Sequence, residues 1–144
     1  MILIRELTAA DVETVSQSEA ETFSMPWSAE DFLEMVSADY AYYYVAEIDG
    51  EIAGCCGIRN IAGEGEITNV VVAQKHRQKG IGRKMLEYML ERALEVGIGA
   101  CTLEVRVSNY KAIALYESLG FVGEGIRPKF YEKPTEDALI MWKR

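Results

Sequence analysis

The sequence predicts an α/β fold of the α+β kind, with about seven strands and four helices in the order βααβββαβαββ. Three observations predict it. The spacing of apolar residues switches repeatedly between a period of two and a period of 3.6. Asp49-Gly50 interrupts two strand-forming runs as a two-residue hairpin turn. A basic, glycine-bearing turn, His76-Arg77-Gln78-Lys79-Gly80-Ile81-Gly82-Arg83, joins the apolar run Val70-Val71-Val72 to an amphipathic helix. No shift in composition marks a boundary, so residues 1–144 read as one domain, long enough to bury a core without disulfides or metal.

Residues 2–6 form a short first strand. Thr8, with Asp11 three residues on, has the form of a capping box and opens a helix running to about residue 20. Ser28 and Asp31 cap a second helix over 29–37, with Trp27 and Phe32 at the positions of a hydrophobic staple. Tyr42–Ile48 and Glu51–Ile58 flank the Asp49-Gly50 turn, and a third long strand covers about Gly65–Ala73. Ile81, Met85, Leu86, Met89, Leu90, Ala93 and Leu94 recur at helical spacing and lay one face of a helix on the sheet until Gly97 or Gly99. Ala100–Val107 alternates, Leu103, Val105 and Val107 on one face and Thr102, Glu104 and Arg106 on the other. Ser108 or Asn109 caps a helix over 110–119 that stops at Gly120-Phe121, and strands near 121–131 and 137–143 complete the order.

Composition narrows the function. A net charge of −8, from 15 basic and 23 acidic residues, argues against a nucleic-acid binder, which needs a basic face rather than one small basic patch. A basic or amine-bearing substrate suits it better. Cys55, Cys56 and Cys101 lie in apolar runs without metal-ligand spacing, and read as reduced core residues of a cytoplasmic protein. No apolar run approaches the roughly 20 residues of a membrane span, and Met1–Glu6 has no targeting pattern.

The glycine turn is the first chemical signal. Its two glycines allow a phosphate to approach the backbone, and the following helix aims unpaired N–H groups and the positive end of its dipole at that spot. It is neither a P-loop nor a dinucleotide fingerprint, since the Gly-Lys-Ser/Thr and the third spaced glycine are missing. A plain strand-to-helix turn with solvated basic residues is the simpler alternative.

The order of elements, together with Val70-Val71-Val72 and Arg77-Gln78-Lys79-Gly80-Ile81-Gly82, resembles the GCN5-related N-acetyltransferase (GNAT) superfamily and its Arg/Gln-x-x-Gly-x-Gly/Ala signature. The segments Leu103–Asn109 and Ala112–Phe121 are similar to the branch that acetylates protein N-termini, in particular its RimI type, which acts on the N-terminal alanine of a small-subunit ribosomal protein. The resemblance implies a mixed, mostly antiparallel central sheet and acetyl-coenzyme A as cosubstrate, with no metal. It implies that Arg77, Gln78, Lys79, Gly80, Ile81, Gly82 and Arg83 hold the pyrophosphate, and that the pantetheine pairs with the backbone of Val70 and Val72. An amide near Val71 or Val72 would then polarise the thioester carbonyl.

Within the same resemblance Glu104 is the general base and Tyr116 the general acid, with Glu66 as runner-up base because other branches place a carboxylate there. Asn109 matches a position that bonds the pantetheine arm, and it also suits an ordinary helix cap. Trp27 and Tyr131 fall in the regions that flank the peptide groove. Pro128-Lys129-Phe130-Tyr131 departs from the RimI pattern of an arginine, an asparagine and two aromatics. The implied partner is a protein N-terminus, such as that of a ribosomal protein, taken by a monomer that engages neither nucleic acid nor membrane. The alternatives are a lysine or small-molecule amine as acceptor, or a non-catalytic acyl-coenzyme A-binding module. His76 reads as solvated rather than catalytic.

Overall fold

The local signals close into the elements they predict. The computed structural model describes residues 1–144: β1 (Ile2–Glu6), α1 (Val12–Thr22), α2 (Ala29–Ser37), β2 (Ala41–Ile48), β3 (Glu51–Ile61), β4 (Glu64–Val72), α3 (Ile81–Glu95), β5 (Ala100–Arg106), α4 (Tyr110–Ser118), β6 (Val122–Tyr131) and β7 (Glu136–Lys143). At α2, Ser28 N donates to Asp31 at 2.8 Å and Asp31 N to the Ser28 hydroxyl at 3.2 Å, while the Trp27 and Phe32 rings lie 5.4 Å apart as the staple. Asp49 and Gly50 take φ values of 51° and 80°, the doubly positive turn whose twist matches a hairpin.

The Thr8–Asp11 signal opens a 3₁₀ turn, Ala9–Asp11, before α1. Asp11 is buried there because Arg5 of β1 clamps its carboxylate at 2.8 and 2.9 Å, which holds the carboxyl at about 2. A second 3₁₀ turn, Gln74–His76, buries His76 at 8% exposure against Glu51, 3.0 Å from its Nε2. This corrects the expectation of a solvated histidine, because the turn folds the ring back under β3. Leu94 also departs from its pattern. It is 71% exposed although Ala93 in the same turn is buried, because the buried face of α3 follows Ile81, Met85, Met89 and Ala93 and Leu94 lies off it.

The strands form one sheet in the order β1-β2-β3-β4-β5-β7-β6. All neighbours are antiparallel except β4 and β5. On one face α1 and α2 cover Tyr43, Val45, Cys55 and Val71. On the other, α3 and Tyr116 of α4 cover Tyr44, Cys56, Ile58, Ile67, Leu103 and Val105. The three cysteines are free and buried. No helix is long and apolar enough to cross a membrane.

Two irregularities shape the centre of the sheet. Gly57 faces Asn69 while Ile58 faces Ile67, so Thr68 is an extra residue that bulges β4. The bulge turns the strand over: Ile67 packs toward α3, whereas Val71 packs toward α1 and α2 and Val70 and Val72 take the α3 side. Beyond it, β4 and β5 part company. They pair only at Glu64, Gly65 and Glu66 against Ala100, Cys101 and Thr102, and the remainder of each strand faces a slot.

Candidate active site

The slot exposes backbone that a sheet would normally pair. Ala73 N donates to Ala53 of β3 at 2.8 Å, so the Val72 carbonyl, across the same peptide unit, points away from β3 and into the slot. By strand alternation Val70 and Val72 turn their amides and carbonyls to the slot, and Val71 turns its own to β3. Arg77 Nε caps the Val72 carbonyl at 3.0 Å, and its Nη2 reaches Thr22 at the end of α1 at 2.8 Å. The Arg77 side chain therefore ties the end of β4 to α1.

At the end of the slot the glycine turn presents the start of α3. Gln78 has φ of 64° and Gly80 a φ of 76°, the left-handed conformation that glycine adopts without penalty. From Gln78 to Arg83 no amide donates to a protein acceptor, and no side chain caps the helix. Six bare N–H groups at a helix N-terminus fit a pyrophosphate. Arg83 bonds Ser118 of α4, which braces the turn against the neighbouring helix. Lys79 is exposed at the same turn.

Glu104 lies on β5 opposite in direction to the buried Leu103 and Val105, and so faces the α1–α2 side of the slot. Its Oε2 stands 3.2 Å from Arg127 of β6 yet accepts no hydrogen bond. Burial pushes this carboxyl above the usual carboxylate range, the Arg127 charge opposing and the Glu66 charge reinforcing the rise. Glu66 itself pairs with Arg59 directly across from it on β3, Arg59 Nε donating at 3.1 Å.

Tyr116 comes from the opposite face. Its ring packs against Phe121 with centroids 6.0 Å apart, and its hydroxyl bonds no protein group. Burial pushes the phenol well above its ordinary range, helped by the nearby Tyr131 phenol. Tyr131 is half-buried, its own phenol pushed up to about 12 by burial and by the Glu104 carboxylate, with Arg106 opposing. Glu104, Tyr131 and Tyr116 come from β5, β6 and α4, and the Tyr131 phenol acts electrostatically on Tyr116 as the Glu104 carboxylate acts on Tyr131.

Asn109 caps α4, its side-chain oxygen accepting from Ala112 N at 3.3 Å. Trp27 is half-buried. It stacks on Tyr43 at 6.0 Å and lines a cleft of about 280 Å³ with Asp31, Glu34, Met35 and Arg59. Its amide donates to the buried Glu19 at 3.2 Å, Glu19 accepts from Asn69 at 3.4 Å, and Tyr43 donates to Asn69 at 3.2 Å and contacts Thr68. This chain of polar groups anchors the α1–α2 loop to the bulge. Sequence reasoning passed over Glu19, Arg127 and the hub role of Arg106. A glutamate in the α1 pattern at a position facing the core was the one available signal for Glu19. No group of three His, Cys, Asp or Glu side chains is arranged to hold a metal.

Known proteins share this architecture. The Acetyltransferase (GNAT) family model matches residues 12–121. A Bacillus subtilis (strain 168) protein named as a candidate ribosomal protein bS18-alanine N-acetyltransferase is 36% identical over 140 residues, 96% of this chain and 93% of the relative. The ribosomal protein bS18-alanine N-acetyltransferase of Escherichia coli (strain K12) is 32% identical over 145 residues, 98% of this chain and 96% of the relative. The crystal structure of the ribosomal-protein-S18-alanine N-acetyltransferase from Escherichia coli superimposes with a TM-score of 0.92 at 30% identity, covering 99% of this chain and 93% of that one. Similarity of this extent, on a sheet that opens where an acyl carrier must lie, places the chain in the GNAT acetyltransferase family, as an N-acetyltransferase that uses acetyl-coenzyme A.

Proposed function

We propose that this chain acetylates the free α-amine of a protein N-terminus, the N-terminal alanine of ribosomal protein bS18, by direct attack in a ternary complex. The observation that carries the reading is the slot between β4 and β5, which opens to both faces of the sheet with Glu104 on one side and Tyr116 on the other. The relatives named above, similar along nearly their whole length, support the acceptor.

Bound acetyl-coenzyme A supplies an activated acyl carbon and a thiolate leaving group. The amides of Gln78–Arg83, with Lys79 beside them, hold the pyrophosphate, and the outward backbone of Val70 and the Val72 amide orient the pantetheine as an added strand would. Asn109, with its side-chain amide N–H₂ free, serves the same arm. The Val72 amide donates toward the charge that develops on the carbonyl oxygen. Glu104 accepts the proton that the amine loses as its nitrogen bonds the acyl carbon, and Tyr116 gives its proton to the departing sulfur. An α-amine with a reference pKa near 8 loses its proton more easily than a lysine at about 10.4, which suits a carboxylate base. Trp27 and Tyr131 wall the acceptor's approach.

Glu104→Gln and Tyr116→Phe test this. Each should lower kcat at least about tenfold while leaving coenzyme A affinity nearly unchanged. Full turnover in both variants rejects the assignment. Equal acetylation of a blocked peptide carrying an internal lysine and of a free Ala-peptide rejects the N-terminal acceptor.

A further inference from the structure

Arg106 ends β5, two residues beyond Glu104 and therefore on the same face. Its guanidinium meets two distant segments at once. Nη1 donates to the Pro134 carbonyl at 2.9 Å and to Glu136 Oε1 at 3.1 Å; Nη2 donates to the Ser24 hydroxyl at 2.9 Å and to the Glu132 carbonyl at 2.8 Å. The same plane covers the Tyr131 ring, 4.6 Å from its centroid. Ser24 in turn donates to the Glu132 carbonyl at 2.8 Å, and Glu132 N meets the Met25 sulfur at 3.4 Å. Glu136 uses its second oxygen to accept from Ser108 N at 2.9 Å, which holds that carboxylate in place under the guanidinium. Arg106 is only 22% exposed in its side chain.

We propose that Arg106 is the positioning residue for the acceptor, and this rests on the assignment of the acceptor cleft above. It binds the Phe23–Ser28 loop, which carries Trp27, to the β6–β7 turn and covers the Tyr131 ring, so the placement of Trp27 relative to Tyr131, and with it the acceptor's approach, depends on one guanidinium. A planar fork that serves four acceptors and stacks on a ring has no lysine equivalent, because an ammonium is a compact charge with three diverging donors. The tie joins two loops rather than core elements, and its loss widens the cleft while the pyrophosphate turn, at the other end of the slot, stays as it is.

The test compares Arg106→Lys, Arg106→Met and Ser24→Ala in the full chain, with acetyl-coenzyme A as donor and a peptide bearing a free N-terminal alanine as acceptor. The acceptor KM should rise about tenfold in both Arg106 variants and a few-fold in Ser24→Ala, with the donor KM within about twofold of wild type. Amide hydrogen exchange should quicken at residues 23–28 and 131–136 and stay unchanged in β2, β3 and β4. An unchanged acceptor KM with unchanged exchange, full rescue by lysine, or a parallel rise in both KM values overturns the proposal. If the Arg106 variants do not fold, Ser24→Ala decides by the same two measurements. If the wild-type chain leaves the peptide unmodified, the acceptor assignment fails, and unaltered exchange in the two segments overturns the Arg106 tie separately.

Discussion

Gly57 of β3 lies opposite Tyr43 of β2 and Asn69 of β4. A Cβ built there would stand 2.2 Å from Tyr43 Cε2 and 2.4 Å from Cδ2 and Cζ. The ring crosses directly over the glycine and has no free side to move to. Trp27 stacks on it at 6.0 Å, Phe32 meets it edge-on at 6.5 Å, and its hydroxyl is held by Thr68 and Asn69. Gly57→Ala must expel this ring. Overpacking costs about 1–3 kcal/mol and two buried hydrogen bonds add about 0.5–1.5 each, against about 0.4–1 returned by a stiffer unfolded chain. The net loss should be roughly 3 kcal/mol, or about 6–12 °C in Tm for a chain of this size.

Urea unfolding of Gly57→Ala in three backgrounds checks the cause. Tyr43→Phe keeps the obstructing ring atoms, so the alanine remains costly and only its hydrogen-bond share disappears. Tyr43→Ala removes the ring, and the cost of Gly57→Ala should fall below about 1 kcal/mol, a coupling beyond the roughly 0.5 kcal/mol of independent sites. An equal cost in all three backgrounds refutes the argument. Because Tyr43 also holds the Thr68 bulge, kcat should fall in Gly57→Ala even where the protein is fully folded.

Two further predictions concern the site. Glu104 must be ionised to accept a proton, so kcat/KM should rise with pH through its raised pKa; Arg127→Gln removes a charge that lowers that pKa and should move the rise to higher pH, while Glu66→Gln removes one that raises it and should move the rise to lower pH. A pH–rate profile unmoved in both variants excludes Glu104 as the titrating group, and burial of Tyr116 should keep its phenol protonated so that no fall appears below about pH 10. Gly80→Ala meets no neighbour within 4 Å, so its cost is the left-handed backbone alone, about 1–2 kcal/mol; calorimetry should show coenzyme A binding weakened about fivefold to thirtyfold with kcat at saturating donor preserved, and an unchanged Kd rejects the turn as the pyrophosphate site.

Features legible in the sequence were those whose physics closes within a few residues. The Ser28–Asp31 box, the Trp27–Phe32 staple, the Asp49-Gly50 turn, the Asn109 cap and the Gly80 reversal each involve groups at most five positions apart, so the spacing alone determines which atoms can meet. The glycine turn, Glu104 and Tyr116 were likewise visible as motif residues. The Ala62-Gly63 turn was missed because alanine rarely takes the φ of 52° it has there.

What only the tertiary structure decided are the features that depend on partners far along the chain. The extra residue at Thr68 exists only relative to Gly57 and Ile58, and it reverses which faces Val70, Val71 and Val72 present. The slot exists because β5 pairs with β4 for three residues and then follows β7, a choice made by strands some 40 positions apart. The Arg77 guanidinium spans from the Val72 carbonyl to Thr22, 55 residues away. Arg106 appeared as one polar residue in an alternating strand, and its five partners come from two separate segments. Local spacing determines the elements and their caps through short-range sterics and hydrogen bonding. Register, strand order and the burial of charge are settled by long-range packing, where each contact's free energy depends on chain segments that no local pattern identifies.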